Sequence, residues 1–328
     1  DFRNTSMIID NPGSMWIGSN IYGLYRFDEN KWIPYPTSNS GIPASYVVTI
    51  NIDKNDNVWL STGYPPVWEV FHPYGLTVFN GENWKTYNND NTEFLKYCIN
   101  SIAIDKSENL WLSIGIDDWY YGFHGRGLVY YDGLNWTLFT TENSDLPSNI
   151  IYSLQFDNSN NLWIGSGDGL ARFDGENWTI YDITNSGLTS NSITAIATDD
   201  EGNVWMGTCH DYYDYCSLTC FDRSTCTWTV FDTLNSGLPY GHIESIAVDD
   251  NGDVWIGTFG GGLGYFDGST WKRYTAENSG LISNVINLLA LDEKGYLWMS
   301  SGKDLTCYNG ADWKNFREIS GQPDGIIT

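Results

Sequence analysis

The chain repeats one pattern of apolar and polar positions seven times. Each unit has a short segment of alternating apolar and small residues that ends in an aspartate, as in SITAIATD (192–199). A polar stretch such as DEGN follows, and then a tryptophan-centred apolar segment. The alternation predicts β-strands, and the polar stretch predicts a tight hairpin between them. The central tryptophans of the seven units are Trp16, Trp59, Trp111, Trp163, Trp205, Trp255 and Trp298.

A third apolar segment, such as GLARFD (169–174), and a fourth that starts at a second tryptophan complete each unit. Four short strands repeated seven times predict an all-β fold, a seven-bladed β-propeller of four-stranded antiparallel blades. At this length a propeller is one closed domain, so we expect residues 1–328 to form a single one. The blades are predicted at approximately 5–36, 46–89, 97–141, 149–182, 191–233, 242–276 and 285–318, with a tail at 319–328. The second tryptophans are Trp32, Trp84, Trp136, Trp178, Trp228, Trp271 and Trp313.

An aspartate lies six residues before each central tryptophan. We expect its carboxylate to accept backbone N–H groups of the following turn. The alternative is a calcium loop, but the unit lacks the bidentate glutamate of an EF-hand. The tryptophans are expected to fill the gaps between blades, since large rigid rings bury much apolar area. The aspartates are Asp10, Asp53, Asp105, Asp157, Asp199, Asp249 and Asp292.

Three inserts lengthen the basic unit of about 42 residues, because the central tryptophans are 43, 52, 52, 42, 50 and 43 residues apart. All three fall between the second and third strands, in units 2, 3 and 5. They read GYPPVWEVFHPYG (63–75), GIDDWYYGFHGRG (115–127) and TCHDYYDYC (208–216). Strand direction alternates, so these inserts and the linkers between units are predicted on one face of the propeller. We call that end of each blade its insert end.

The inserts concentrate aromatic and histidine residues, which makes the insert ends the candidate ligand site. Aromatic rings stack on the C–H faces of sugars, while Glu69, Asp117 and Asp118 are candidates for contacts with hydroxyl groups. Arg3, Tyr46 and His242 lie seven residues before an aspartate, where an innermost strand begins, and are candidate mouth residues. An aromatic lid without a ligand remains an alternative. The candidate ligand-binding residues are Trp68, His72, Tyr74, Trp119, Tyr120, Tyr121, His124, Arg126, His210, Tyr212, Tyr213, Tyr46 and His242.

The charge balance excludes several partners. Sixteen Lys and Arg residues against 41 Asp and Glu residues give a net charge of −25. Such a field repels nucleic acid and anionic membrane surfaces, and it disfavours polyanionic polysaccharides. The sequence has no run of 18 apolar residues, so we expect no membrane insertion. We also expect a monomer without a cofactor, and leave a structural calcium ion in the channel as an open alternative.

Two stretches, SNSITAIATDDEGNVWMGT (190–208) and NLWIGSGDGLARFD (161–174), resemble the repeat of the two-component regulator propeller family. The resemblance recurs in register seven times and covers nearly the whole chain. It implies a seven-bladed propeller exported to the periplasm or outside the cell. In many members such propellers are sensor regions attached to a histidine kinase and often respond to glycans. This sequence contains no kinase or DNA-binding segment, so only the recognition role is expected of it.

We therefore expect a secreted or periplasmic ligand-binding propeller that recognises a glycan on the face carrying the inserts of blades 2, 3 and 5. A polysaccharide-cleaving enzyme on the same face is the first alternative. Such an enzyme would abstract a proton beside a carboxylate of the sugar and stabilise the resulting enolate. The candidate residues for this chemistry are His124, Arg126, Tyr120 and Tyr121, with His72 on the neighbouring blade. A protein-interaction scaffold is the second alternative.

Four of the six cysteines lie in blade 5. We expect disulfides between Cys209 and Cys216 and between Cys220 and Cys226, although four cysteines allow three pairings. A zinc site that uses His210 is an alternative without support from spacing. Cys98 and Cys307 are expected to be buried free thiols.

Overall fold

The computed structural model describes residues 4–28, 31–64, 72–118, 122–209, 216–302 and 304–316. These residues form seven four-stranded antiparallel sheets, and in each sheet the strands lie side by side in chain order. The seven-bladed β-propeller predicted from the repeat is therefore confirmed. The chain divides into two compact units, Asp1–Leu154 and Gln155–Thr328.

The first unit holds blades 1 to 3. Their strands are β1 (Asn4–Ile9), β2 (Met15–Ser19), β3 (Leu24–Asp28), β4 (Lys31–Tyr35), β5 (Tyr46–Ile52), β6 (Val58–Tyr64), β7 (His72–Phe79), β8 (Trp84–Tyr87), β9 (Cys98–Ile104), β10 (Leu110–Asp118), β11 (Gly122–Tyr131) and β12 (Trp136–Phe139). One 3-10 turn, η1 (Glu93–Lys96), lies in the linker between blades 2 and 3.

The second unit holds blades 4 to 7, and its boundary falls inside the first strand of blade 4. The strands are β13 (Ile151–Phe156), β14 (Leu162–Ser166), β15 (Gly169–Phe173), β16 (Trp178–Tyr181), β17 (Ile193–Thr198), β18 (Val204–Cys209), β19 (Cys216–Asp222), β20 (Thr227–Phe231), β21 (Ile243–Val248), β22 (Val254–Thr258), β23 (Gly262–Phe266), β24 (Trp271–Tyr274), β25 (Leu288–Leu291), β26 (Leu297–Ser301), β27 (Asp304–Tyr308) and β28 (Trp313–Phe316).

The recurring aspartate closes the turn between the first two strands of a blade. In blade 2, Asp53 Oδ1 accepts the backbone N–H groups of Asn55 at 2.9 Å and Asn57 at 3.0 Å. Asp53 Oδ2 accepts a hydrogen bond from Trp59 Nε1 at 3.0 Å. The turn-forming role is confirmed, and the bond to the indole is a further role that sequence reasoning missed. The same indole bond joins Asp10 to Trp16, Asp157 to Trp163, Asp199 to Trp205 and Asp292 to Trp298.

Aromatic rings fill the spaces between neighbouring blades, as predicted. Trp16 of β2 stacks on Tyr35 of β4 with ring centroids 5.4 Å apart, and it also meets Phe79 of blade 2 edge-on at 6.1 Å. Trp84, the second tryptophan of blade 2, stacks on Phe79 at 4.2 Å. In the second unit, Trp163, Tyr181, Phe221 and Trp228 make the equivalent set between blades 4 and 5. Both tryptophans of a unit therefore stabilise the contact between blades.

One of the two predicted disulfides is present. Cys209 ends β18 and Cys216 begins β19, and these directly opposite residues form a disulfide with a Cα–Cα distance of 4.2 Å. The predicted Cys220–Cys226 disulfide is wrong. Cys220 lies opposite Thr229 and is buried, whereas Cys226 is an exposed thiol in the turn closed by the Asp222–Thr227 pair. Cys98 and Cys307 are buried and form no disulfide, as expected.

Among the described residues, we find no helix whose length and apolar character would allow it to cross a membrane.

Candidate functional site

The inserts of blades 2 and 3 are partly strand rather than loop. In blade 3, Cys98 at the start of β9 pairs with Gly115, and β10 continues to Asp118, which pairs with Gly122 of β11. In blade 2, Tyr64 pairs with His72 at the tip of the described hairpin. In both blades the paired hairpin therefore extends past the first residue of the innermost strand. Residues 65–71 and 119–121 lie outside the described part of these inserts.

A β-bulge occurs at the same place in both hairpins. In blade 3, Ile114 pairs with Gly127 and Gly115 with Gly125, so Arg126 is the extra residue of β11. By the same register shift in blade 2, Tyr74 is the extra residue of β7. Bulges redirect a side chain away from the regular alternation of the sheet. Tyr74 is 37% exposed and Arg126 is also exposed, so neighbouring blades present a ring and a cation at equivalent positions.

The hairpin of blade 3 lies directly on the linker that leads to blade 4. Gly127 N donates a hydrogen bond to Asn149 O at 3.1 Å. A Cβ atom on Gly125 would stand only 1.8 Å from the same carbonyl oxygen, so a side chain at position 125 is excluded. These contacts place the insert and the linker at one end of the blade, as the strand directions predicted. The backbone on both sides of Arg126 thus packs closely against the linker.

Arg126 belongs to a small cationic group around an aromatic ring. Its Cζ atom lies 5.6 Å from the ring centroid of Tyr97, and Lys96 Nζ lies 5.2 Å from the same centroid. Tyr97 directly follows η1. Lys96 Nζ also lies 3.6 Å from Glu93 Oε2, so Arg126 is the cation of this group that carries no ion pair among the described residues. Sequence reasoning missed Lys96 and Tyr97, although the pairing of Lys with Tyr in the linker EFLKYC (93–98) was a usable signal.

The other described candidates are more dispersed. His124 lies opposite Ile116 near the tip of the blade 3 hairpin and is exposed. Tyr46 opens β5 opposite Gly63 and is partly buried. In the second unit, His242 precedes β21, and its Nδ1 atom lies 3.1 Å from Glu244 Oε1.

Many of the predicted site residues lie outside the described residues. These are Arg3, Trp68, Glu69, Trp119, Tyr120, Tyr121, His210, Tyr212 and Tyr213. The structure describes the backbones of His72, Asp117 and Asp118 in β7 and β10 but not their side chains. In the part of the chain that is described, no three His, Cys, Asp or Glu residues form a group that could hold a metal ion.

The fold and the repeated strand pattern define the class of protein, a seven-bladed β-propeller. Residues 145–168, 187–210 and 237–260 match the family model for the two component regulator propeller. The matched segments hold the first two strands of blades 4, 5 and 6 with part of the linker before each. A search of the curated proteins finds no match.

Solved structures confirm the architecture. The chain is similar to the extracellular domain of the putative hybrid two component system BT3049 from B. thetaiotaomicron, with 21% identity and a TM-score of 0.74 over 95% of this chain and 39% of that one. The corresponding domain of BT4673 from the same organism has 21% identity and a TM-score of 0.69, over 94% and 38%. An ancestral GH74 enzyme has 15% identity and a TM-score of 0.69, over 95% and 46%. The chain thus spans less than half the length of these proteins, and the similarity shows a shared fold.

Proposed function

We propose that this propeller is an extracellular recognition module that binds a glycan at the insert ends of blades 2 and 3. One observation carries the proposal: Tyr74 and Arg126 occupy equivalent bulges on neighbouring blades. Functional binding sites combine aromatic surface with a few well-placed polar groups, and carbohydrate sites need both. Tyr74 supplies a ring for the C–H face of a sugar, and Arg126 supplies donors for its hydroxyl groups.

Further residues extend the proposed site. Arg126 and Lys96 both lie within 6 Å of the Tyr97 ring centroid, at 5.6 and 5.2 Å, and His124 is exposed on the same hairpin as Arg126. In this proposal Trp68 and Trp119 of the inserts supply additional stacking rings. The net charge of −25 disfavours a polyanion, while the exposed Arg126 accommodates a limited negative charge. The proposed ligand is therefore a neutral or weakly charged glycan.

Export to an oxidising compartment fits two observations. The Cys209–Cys216 disulfide is a modification that persists outside the cytosol. The BT3049 and BT4673 structures are extracellular domains of two component systems. We therefore place the recognition role outside the cytosol, as one part of a sensing protein.

Affinity electrophoresis through gels cast with hydroxyethylcellulose, laminarin, xyloglucan or polygalacturonate tests the proposal. We expect one of the neutral polymers to retard the chain, and Tyr74→Ala, Arg126→Ala and Trp119→Ala each to reduce that retardation. Leu134→Ala is the matched control, because Leu134 is 86% exposed in the turn at the opposite end of blade 3. Loss of retardation in the control as well would contradict a site at the insert ends.

Staining the same gels for polymer separates the two alternatives. A cleared zone around the band would identify polysaccharide cleavage, and His124→Ala would then be expected to abolish it. Free migration through every gel would overturn the glycan proposal and favour a protein partner.

A further inference from the structure

Blade 6 exposes two aromatic side chains at its insert end, although it carries no insert. Tyr240, in the linker before β21, is 57% exposed, and Phe259, between β22 and β23, is 51% exposed. Aromatic rings are usually buried because their apolar area is large. Two exposed rings at one end of a blade make this end a candidate binding surface.

The two rings flank a strip of glycine backbone. Phe259 N donates a hydrogen bond to His242 O at 2.8 Å, which ties its loop to the start of β21. A Cβ atom on Gly241 would lie 2.4 Å from Phe259 O, and one on Gly260 would lie 3.8 Å from Tyr240 Cε2. The absence of a side chain at Gly241 therefore lets the linker and the Phe259 loop approach closely, and Gly260 lies beside the Tyr240 ring.

Hydrogen bonds within the protein order the glycine strip in the absence of a ligand. Gly260 N and Gly262 N both donate to Asn284 O, at 3.0 and 2.9 Å. Arg273 Nε donates to Gly261 O at 2.7 Å, and its Cζ atom lies 5.0 Å from the ring centroid of Tyr240. The loop and one ring are therefore fixed by the same arginine. A surface that is already ordered costs less conformational entropy when it binds.

Polar side chains lie beside the glycine strip and its two exposed rings. His242 and Glu244 lie at the start of β21 with their nearest side-chain atoms 3.1 Å apart, and their side chains are 25% and 30% exposed. They offer a donor and an acceptor beside an apolar surface. Nucleobases also stack on such rings, but the net charge of −25 repels a polyphosphate chain. Arg273 is directed at Gly261 O and Tyr240, which disfavours a ligand that needs a cation for its carboxylate.

We propose that Tyr240 and Phe259 form a second glycan-binding site, at which a neutral pyranose ring stacks across the glycine strip and places its hydroxyl groups beside His242 and Glu244. The flat C–H face of a pyranose matches the rings, and its equatorial hydroxyl groups match the polar border. The site shares its ligand class with the proposed function but uses none of the residues of the insert hairpins.

Titration calorimetry with cellohexaose, laminarihexaose and a xyloglucan oligosaccharide tests this site in the full chain. We expect Tyr240→Ala and Phe259→Ala each to weaken binding of at least one of these ligands by about tenfold, which is the loss of one aromatic stacking contact. Phe259→Tyr should retain binding, because the stacking ring remains. Leu234→Ala is the matched control, since Leu234 is 93% exposed in the same linker and should leave the affinity unchanged. Unchanged thermal unfolding of each variant confirms that the blade is intact.

The outcomes separate the second site from the insert hairpins. Loss of binding in the Tyr240 and Phe259 variants, with normal binding in Tyr74→Ala and Arg126→Ala, supports the blade 6 site and contradicts the site on blades 2 and 3. The reverse pattern overturns the blade 6 site and retains the proposed function. Losses in both sets of variants support two sites. Absence of binding to all three oligosaccharides overturns the blade 6 site.

Discussion

Arg223 Nη1 lies 2.6 Å from Asp157 Oδ2 and thereby joins blade 5 to blade 4. The carboxylate of Asp157 is fully buried, while the Arg223 side chain remains 26% exposed. Asp157 also accepts hydrogen bonds from Asn161 and from the indole of Trp163. One carboxylate therefore closes the turn of its own blade and binds the next blade.

Replacement of Arg223 by Met should destabilise the protein. Removing one partner leaves the Asp157 charge buried with fewer compensating contacts, so we expect a loss of about 2–4 kcal/mol in the free energy of unfolding. The measurement is urea denaturation followed by tryptophan fluorescence. Lys54→Met is the matched control, because the Lys54–Glu108 pair also joins neighbouring blades at 3.2 Å but the Lys54 side chain is 62% exposed. The control should cost less than about 1 kcal/mol; equal losses would contradict the role given to burial.

The stability of the fold should decline in acid. Burial would raise the pKa of Asp157, but hydrogen bonds from Asn161, Trp163 and Ser159 outweigh it and hold the pKa below its ordinary value. Hydrogen bonds from the side chains of Ser224 and Thr225 lower the pKa of Asp222 to about 2. A carboxyl whose folded pKa is depressed contributes its full stability above its unfolded value of about 3.9 and loses it as pH falls through the folded value.

Urea denaturation at a series of pH values checks this dependence. We expect the free energy of unfolding to fall between about pH 4 and pH 2, in the window between the unfolded and folded pKa values. Asp222→Ala should reduce that slope, because one of the depressed carboxyl groups is absent. A free energy of unfolding that stayed level across this range would show that these carboxyl groups are equally protonated in both states.

The free thiols provide a direct test of the cysteine pairing. Without reductant, a thiol reagent should label Cys226 rapidly in the native protein, since it is the exposed free cysteine. Burial raises the pKa of Cys220 and Cys307 to about 12, so these thiols should react only after denaturation. Denatured, unreduced protein should show the four free cysteines and leave Cys209 and Cys216 protected. A count of two thiols would mean that Cys220 and Cys226 are joined after all.

Two glycines of blade 2 allow the cost of a left-handed backbone to be measured apart from the cost of a steric clash. Gly75 has a φ of +96°, and a Cβ atom there would lie 2.1 Å from Tyr87 O. Gly81 has a φ of +90° with no atom within 4 Å of its added Cβ. Gly81→Ala should cost about 1–2 kcal/mol from the left-handed conformation alone. Gly75→Ala should cost clearly more, because it also displaces the end of β8. Equal unfolding midpoints in urea would contradict this difference.

The strand pattern was predictable because it depends on local sequence. The interval of six residues between Asp53 and Trp59 recurs in every unit, and alternating apolar positions mark the strands around it. The bulges at Tyr74 and Arg126 were not predictable by the same means. Their positions depend on which residues of two strands pair, and the regular alternation of a sequence assumes that no residue is skipped. The exposed pair Tyr240 and Phe259 was missed because blade 6 has no insert.

The sequence by itself determined the class of fold, the number of blades, the turn-forming aspartates and the end of each blade on which the inserts lie. Each of these follows from periodicity and from contacts within a few residues along the chain. The sequence also predicted the Cys209–Cys216 disulfide. Only the tertiary structure decided that Cys220 and Cys226 stay apart, and that Arg223 binds Asp157 on another blade. The cysteine result depends on which residues of two neighbouring strands pair. The ion pair depends on the packing of one blade against the next, which brings together atoms that lie 66 residues apart in the chain.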